Sequence, residues 1–238
     1  MRLTLGLILI VSAMMVAQPP SNILVYYDNQ LGYGTAVLTA IGNLWPSATV
    51  SSYNGDYAGF NNALNSGGAN WDIVILECWY NSTNNIYFGG VADLYDTGAA
   101  KIFFSSWQLT GSYSGFLANA MGVSSASSIS GSVIPHYAWE PSHAICDGIT
   151  DWTWANPGLG ILNNRLTVSD ATPVTGWTSS PAGGQAGICV ANDGSSVISG
   201  FTPAYATQGV AIWENILGFM WGDEALTRST WGQIKASF

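Results

Sequence analysis

WDIVILECWYNSTNNIYFGGVADLYDTGAAKIFF, residues 71–104, holds one complete strand-helix-strand passage. Trp71–Leu76 is a continuous apolar, β-branched run, the pattern of a strand buried on both faces. Asn85–Tyr95 then clusters Val91, Leu94 and Tyr95 on one helical face, and Lys101–Phe104 begins the next strand. A helix between two such strands is the connection a parallel pair requires.

The same alternation extends toward the N-terminus. Ile23–Tyr27 (ILVYY) reads as a buried first strand, and Thr35–Leu44 as a helix with Val37, Leu38, Ile41 and Leu44 on one face, stopped by Pro46. Thr49–Tyr53 is a short strand, and Asp56 caps a helix carrying Phe60 and Leu64 that runs to Gly67-Gly68. Four strands alternating with three helices predict a parallel sheet of order 2-1-3-4. Beyond it, Ser124–Ser132 reads as a Ser-rich loop. Ile188–Val190 and Val197–Phe201 flank Asn192-Asp193-Gly194 as a hairpin does, and Val210–Trp221 is a closing amphipathic helix. The expected fold is α/β: a flavodoxin-like three-layer sandwich, mostly parallel, with antiparallel strands added in the C-terminal half.

The chain opens with Arg2, an apolar run from Leu3 to Val16, and a small Ala17 before Gln18-Pro19-Pro20, the pattern of a signal peptide cleaved after Ala17. The apolar stretch is shorter than the ~20 residues a spanning helix needs. The expected organisation is a signal peptide at 1–17, one domain at 18–222 and a tail at 223–238, with a secreted or cell-surface location. Four cations against 14 acids give the mature chain a net charge of −10, which disfavours nucleic acid and anionic membrane as partners. Only 8% of the residues are charged, so the surface is neutral-polar. Eleven Trp suit either a core or a sugar-binding face. Cys78, Cys146 and Cys189 leave one disulfide open without choosing a pair, and two histidines with no metal-ligand spacing predict no metal site. Gly32-Tyr33-Gly34-Thr35 lacks the third glycine of a dinucleotide loop, so no nucleotide cofactor is expected.

Several short segments, in order, resemble the class I glutamine amidotransferase-like fold, nearest its trehalose-utilisation (ThuA-like) branch. They are Trp71–Leu76 as the third strand, Gly98–Phe104 as helix end plus fourth strand, His143-Ala144-Ile145-Cys146-Asp147-Gly148-Ile149, and Glu214–Trp221 in the closing helix. The resemblance implies the fold but not the chemistry. Active members carry a Gly-x-Cys-x-Gly turn and a later His-x-Glu, whereas the turn here is Ser105-Ser106-Trp107-Gln108 and His136 stands four residues before Glu140.

In open parallel sheets, ligands bind outside the carboxyl ends of the strands. Asp28, Asn29, Glu77, Trp79, Ser105 and Trp107 are therefore the candidate ligand-binding residues: two acids as acceptors, hydroxyls, and rings on which a sugar can stack. Paired carboxylates also suit glycoside hydrolysis. Weaker catalytic candidates are Ser106 as nucleophile, His143 as base oriented by Asp147 or Glu140, and Glu77. In the tail, Trp231, Ile234 and Phe238 fall on one helical face, a docking or sorting element or a cover for the domain's own groove. The sequence thus favours an exported, non-catalytic domain for ligand binding, glycans included, or for assembly through a cell-surface partner or self-association. An envelope hydrolase acting on glycans or esters is the alternative.

Overall fold

The computed structural model describes residues 18–28, 35–66, 70–79, 86–109, 115–129, 133–155 and 163–222. The signal segment, Asn29 and the tail residues Trp231, Ile234 and Phe238 lie outside the described residues.

The first half follows the predicted alternation: β1 Asn22–Tyr27, α1 Thr35–Leu44, β2 Thr49–Asn54, α2 Tyr57–Leu64, β3 Ile73–Cys78, α3 Phe88–Asp96 and β4 Lys101–Ser106. The Asp56 carboxylate accepts the Gly59 N–H at 2.9 Å, closing the first turn of α2. After α4 (Gly115–Ala120) come two longer strands, β5 Val123–Ile129 and β9 Asn163–Val168, and seven of two or three residues: β6 Val133–Ile134, β7 Tyr137–Ala138, β8 Trp154–Ala155, β10 Thr172–Pro173, β11 Thr175–Gly176, β12 Ile188–Val190 and β13 Val197–Ser199. The closing helix α5 spans Gly209–Trp221 and stops at Gly222, whose φ of 82° is the left-handed cap.

The main sheet has seven strands in the order β10-β12-β13-β4-β3-β1-β2. Its β4-β3-β1-β2 portion is parallel, as the order 2-1-3-4 requires. The β12–β13 pair is the antiparallel hairpin expected around Asn192-Asp193-Gly194, and β13 then joins β4 in parallel. The fold is thus flavodoxin-like, with antiparallel strands on one side. One expectation fails: Ser124–Ser132 is not a loop over most of its length, because β5 pairs antiparallel with β9. Its burial does not alternate and four of its serines face solvent, so composition masked a strand that long-range pairing stabilises.

Strand alternation sorts the core into two layers. Ile73, Ile75 and Phe103 face α1 and α5 in one, and Val74, Leu76, Ile102 and Phe104 face α2, α3 and α4 in the other. This also decides the cysteines. All three are buried free thiols; Cys78 and Cys189 belong to the second layer and Cys146 to the first. Burial, then the Glu140 charge, pushes the Cys146 thiol up to about 12. Among the described residues no helix is long and apolar enough to cross a membrane.

Candidate functional site at the carboxyl ends of the strands

The strands end in polar residues that share one edge. Register places Tyr27 beside Glu77, Glu77 beside Ser105, and Ser105 beside Ser199, so these four form a row across β1, β3, β4 and β13. Partners in register point the same way, and strand alternation turns the row toward the α1/α5 layer. Glu77, Ser105 and Ser199 are fully buried there.

Each polar group has a defined setting. The Asp28 carboxylate accepts the Trp79 backbone N–H at 2.5 Å and the Tyr26 hydroxyl at 3.0 Å, and the Asp28 N–H donates to the Glu77 carbonyl at 3.2 Å. Burial, and then the Asp28 charge, hold the Glu77 carboxyl well above the usual carboxylate range. It therefore favours its neutral form, in which it donates as well as accepts. The Trp79 indole N–H donates to the Ser105 hydroxyl at 2.5 Å, and that hydroxyl donates to the Phe201 carbonyl at 3.3 Å. The same carbonyl receives the Ser199 hydroxyl at 2.6 Å.

The catalytic candidates are not assembled. The Ser106 hydroxyl is buried and accepts the Gln108 N–H at 3.0 Å, a turn-closing role. Next to β4, β13 runs out into Gly200-Phe201-Thr202-Pro203-Ala204, which brings neither a histidine nor a carboxylate to the serines. His143 caps the 3-10 turn Ala144–Cys146, where its Nδ1 accepts the Ile145 N–H at 3.2 Å and its ring lies 4.8 Å from Phe219. Phe219 is ten residues along α5 from Gly209, roughly 15 Å at the helical rise, and Gly209 is the end of α5 that packs by Pro203 and Ala204. His143 and Ser106 thus lie toward opposite ends of the sheet, and the candidate serine–histidine pair does not form. Spacing along the chain could not reveal this, because α5 carries its own C-terminal end, and with it His143, away from the strand tips.

The other histidine is closer. His136 is buried against Trp177 at 4.5 Å and Phe201 at 4.7 Å, with Nε2 2.6 Å from the Thr175 hydroxyl. Burial lowers its pKa to about 3, so it resists accepting a proton and makes a poor general base at neutral pH. Trp79, expected as a sugar platform, is buried behind Ser105; Trp107, half-buried, is the ring that retains exposed surface. Two further residues had no signal in the sequence. Asn164 ties the edge together, its amide donating to the Ser106 carbonyl at 2.9 Å and its backbone N–H to the Gly200 carbonyl at 2.7 Å. Thr202 is buried at the end of β13. Beside this edge, a groove of about 460 Å3 opens between the first turns of α1 and α5, lined by Thr35, Thr39, Ala204, Ala206 and Thr207. Among the described residues no group of His, Cys, Asp and Glu could hold a metal ion.

With this geometry the fold can be placed among known proteins. The structure is similar to a Thermoplasma acidophilum protein described as a GMP synthase subunit, with a TM-score of 0.54 and 14% identity, covering 92% of this chain and 99% of that one. It is also similar to a ThuA-like protein of Parabacteroides merdae, TM-score 0.53 and 10% identity over 88% and 92% of the chains. A glutamine amidotransferase of Thermotoga maritima matches at TM-score 0.52 and 11% identity over 88% and 87%. No protein-family model matches the sequence, and no curated protein does. The fold is the class I glutamine amidotransferase-like fold. The ThuA-like protein shares it, as the ordered segments from Trp71 to Trp221 led one to expect.

Proposed function

We propose that the protein is an exported, non-catalytic domain that binds a small polar ligand at the carboxyl edge of its sheet. The observation that carries this reading is the state of that edge. Its serine hydroxyls are buried and engaged, no histidine or carboxylate ends β13 beside them, and Glu77 is an acid kept in a neutral, hydrogen-bonding form. Such an edge recognises hydrogen-bonding groups, and among the described residues it carries no activated nucleophile. Melting temperatures of residues 18–238 against sugars, amino acids and nucleosides test it. At least one class is expected to raise the melting temperature, and Glu77→Gln or Trp107→Ala to diminish the rise. Glutamine is expected to release no ammonia; release that disappears in Ser106→Ala overturns the non-catalytic reading. The hydrolase alternative draws on the nearness of Asp28 to the raised acid Glu77, and turnover of a glycan or ester in this panel decides for it.

Export is supported by the charge, apolar run and small residue that end at Ala17. Gln18, the expected first mature residue, is held on the domain: its carbonyl accepts the Trp221 indole N–H at 2.6 Å. N-terminal sequencing of exported protein should begin at Gln18; exported, folded chains that keep Met1 contradict the proposal.

A further inference from the structure

We propose that the ligand is an uncharged, hydroxyl-rich ring such as a sugar unit, held among Trp152, Trp154 and Phe201 and hydrogen-bonded by Asn163, Thr202 and His136, an assignment that rests on the ligand-binding reading of the sheet edge. These residues stand out because six buried polar atoms on five of them have no hydrogen-bond partner among the described residues: His136 Nδ1, Trp152 Nε1, Trp154 Nε1, Asn163 Nδ2, Asn163 Oδ1 and Thr202 Oγ1. Buried polar groups are nearly always paired, so a cluster of unpaired ones calls for a missing partner.

The cluster is local. The His136 ring lies 4.7 Å from Phe201 and 5.9 Å from Trp152, and Thr202 directly follows Phe201. Asn163 directly precedes Asn164, whose N–H is bonded to the Gly200 carbonyl, two residues before Thr202. Trp154 bridges to Ala206 and meets the Tyr205 ring edge-on at 6.1 Å. All of this adjoins the row described above, because the Phe201 carbonyl is the acceptor for Ser105 and Ser199. Ala204 and Ala206, which flank Tyr205, line the groove between α1 and α5, so an opening lies beside the cluster.

The donor and acceptor inventory selects the chemistry. The indole groups of Trp152 and Trp154 donate only, the Asn163 amide does both, and the Thr202 hydroxyl does both. Thr175 Oγ1 accepts the Ile188 N–H at 2.9 Å, so its own proton can go to His136 Nε2, which leaves Nδ1–H as a further donor. None of the five carries a formal charge, His136 being held neutral by burial. A cation would find mostly donors, and an anion would find no positive charge among the five. Hydroxyl groups on a ring satisfy donors and acceptors together, and aromatic walls pack against its C–H faces.

Thermal melts of wild type with millimolar D-glucose, D-galactose, N-acetyl-D-glucosamine, lactose and cellobiose test the assignment. At least one is expected to raise the melting temperature; a rise with a disaccharide alone identifies a glycan end, and a rise with a monosaccharide a free sugar. Asn163→Leu is expected to raise the melting temperature of the sugar-free protein, because it removes two unpaired buried polar atoms, and to abolish the sugar-dependent rise. Thr202→Val, nearly isosteric, gives the same loss of response if Asn163→Leu does not fold. The assignment is overturned if no sugar shifts the wild type, or if the shift survives in every one of these variants that folds. Amino acids or nucleosides that shift the wild type, through Glu77, while sugars do not would refute the sugar assignment and leave the sheet-edge reading standing.

Discussion

Replacing Trp213 with alanine is expected to destabilise the domain by about 3–5 kcal/mol, a large part of a typical domain's total. Trp213 lies in the second turn of α5, is fully buried, and packs its ring 4.4 Å from Phe103 of β4. With Ile212, Ile216, Leu217 and Met220 it packs the closing helix against the sheet. Removing it leaves a cavity between two rigid layers, and such layers relax only in part. Urea denaturation checks this: the midpoint should fall steeply. A loss below about 1 kcal/mol, the range of an ordinary surface substitution, would show that α5 is not a core element.

His136 should make the protein acid-sensitive. Its folded pKa of about 3 is depressed from 6.5, so above pH 6.5 the folded and unfolded chains both hold it neutral and its contribution is fully present. As pH falls below 6.5, the unfolded chain takes a proton that the folded chain refuses until about pH 3, and stability drops by about 1.4 kcal/mol per pH unit. Glu77 acts in the opposite sense. Its folded pKa is raised above 4.5, so from that raised value down to 4.5 the folded chain holds a proton the unfolded chain lacks, and stability rises as pH falls. The two offset each other above pH 4.5, and the His136 loss stands out below it. Urea titrations of wild type and His136→Gln at pH 7, 5 and 3.5 isolate the effect. The wild type's stability relative to the variant should shrink steadily toward low pH, by several kcal/mol overall; parallel profiles would mean that His136 is protonated in the fold.

Much of the architecture was legible because the first half obeys local rules. Continuous apolar runs such as Ile73–Leu76 and one-sided helices such as Thr35–Leu44 have one economical arrangement, and the Asp56 cap was readable from residue type alone. The Ser124–Ser132 segment was misread for the complementary reason: its strand exists through pairing with Asn163–Val168, some forty residues later, and composition carries no record of that. The site divides in the same way. Asp28, Glu77 and Ser105 could be placed at one edge because parallel strands end together, and the register brings Glu77 and Ser105 side by side. Their burial could not be foreseen, nor could Trp79 turning inward to bond Ser105. Asn163, Thr202 and His136 come from the second half. There Asn164 approaches Gly200 so closely that an added Cβ on the glycine would collide with the Asn164 carbonyl, and the His136 ring packs on Phe201, contacts between distant segments that composition does not reveal.

Binding without chemistry at the carboxyl edge can be read by saturation-transfer NMR on purified residues 18–238. A mixture of sugars, amino acids, nucleosides and glutamine is recorded at once and again after a day. At least one component is expected to receive saturation from the wild type, to receive less from Glu77→Gln, and to remain chemically unchanged. A mixture in which nothing receives saturation, or in which a bound component is converted to product by the wild type but not by Ser106→Ala, would contradict it.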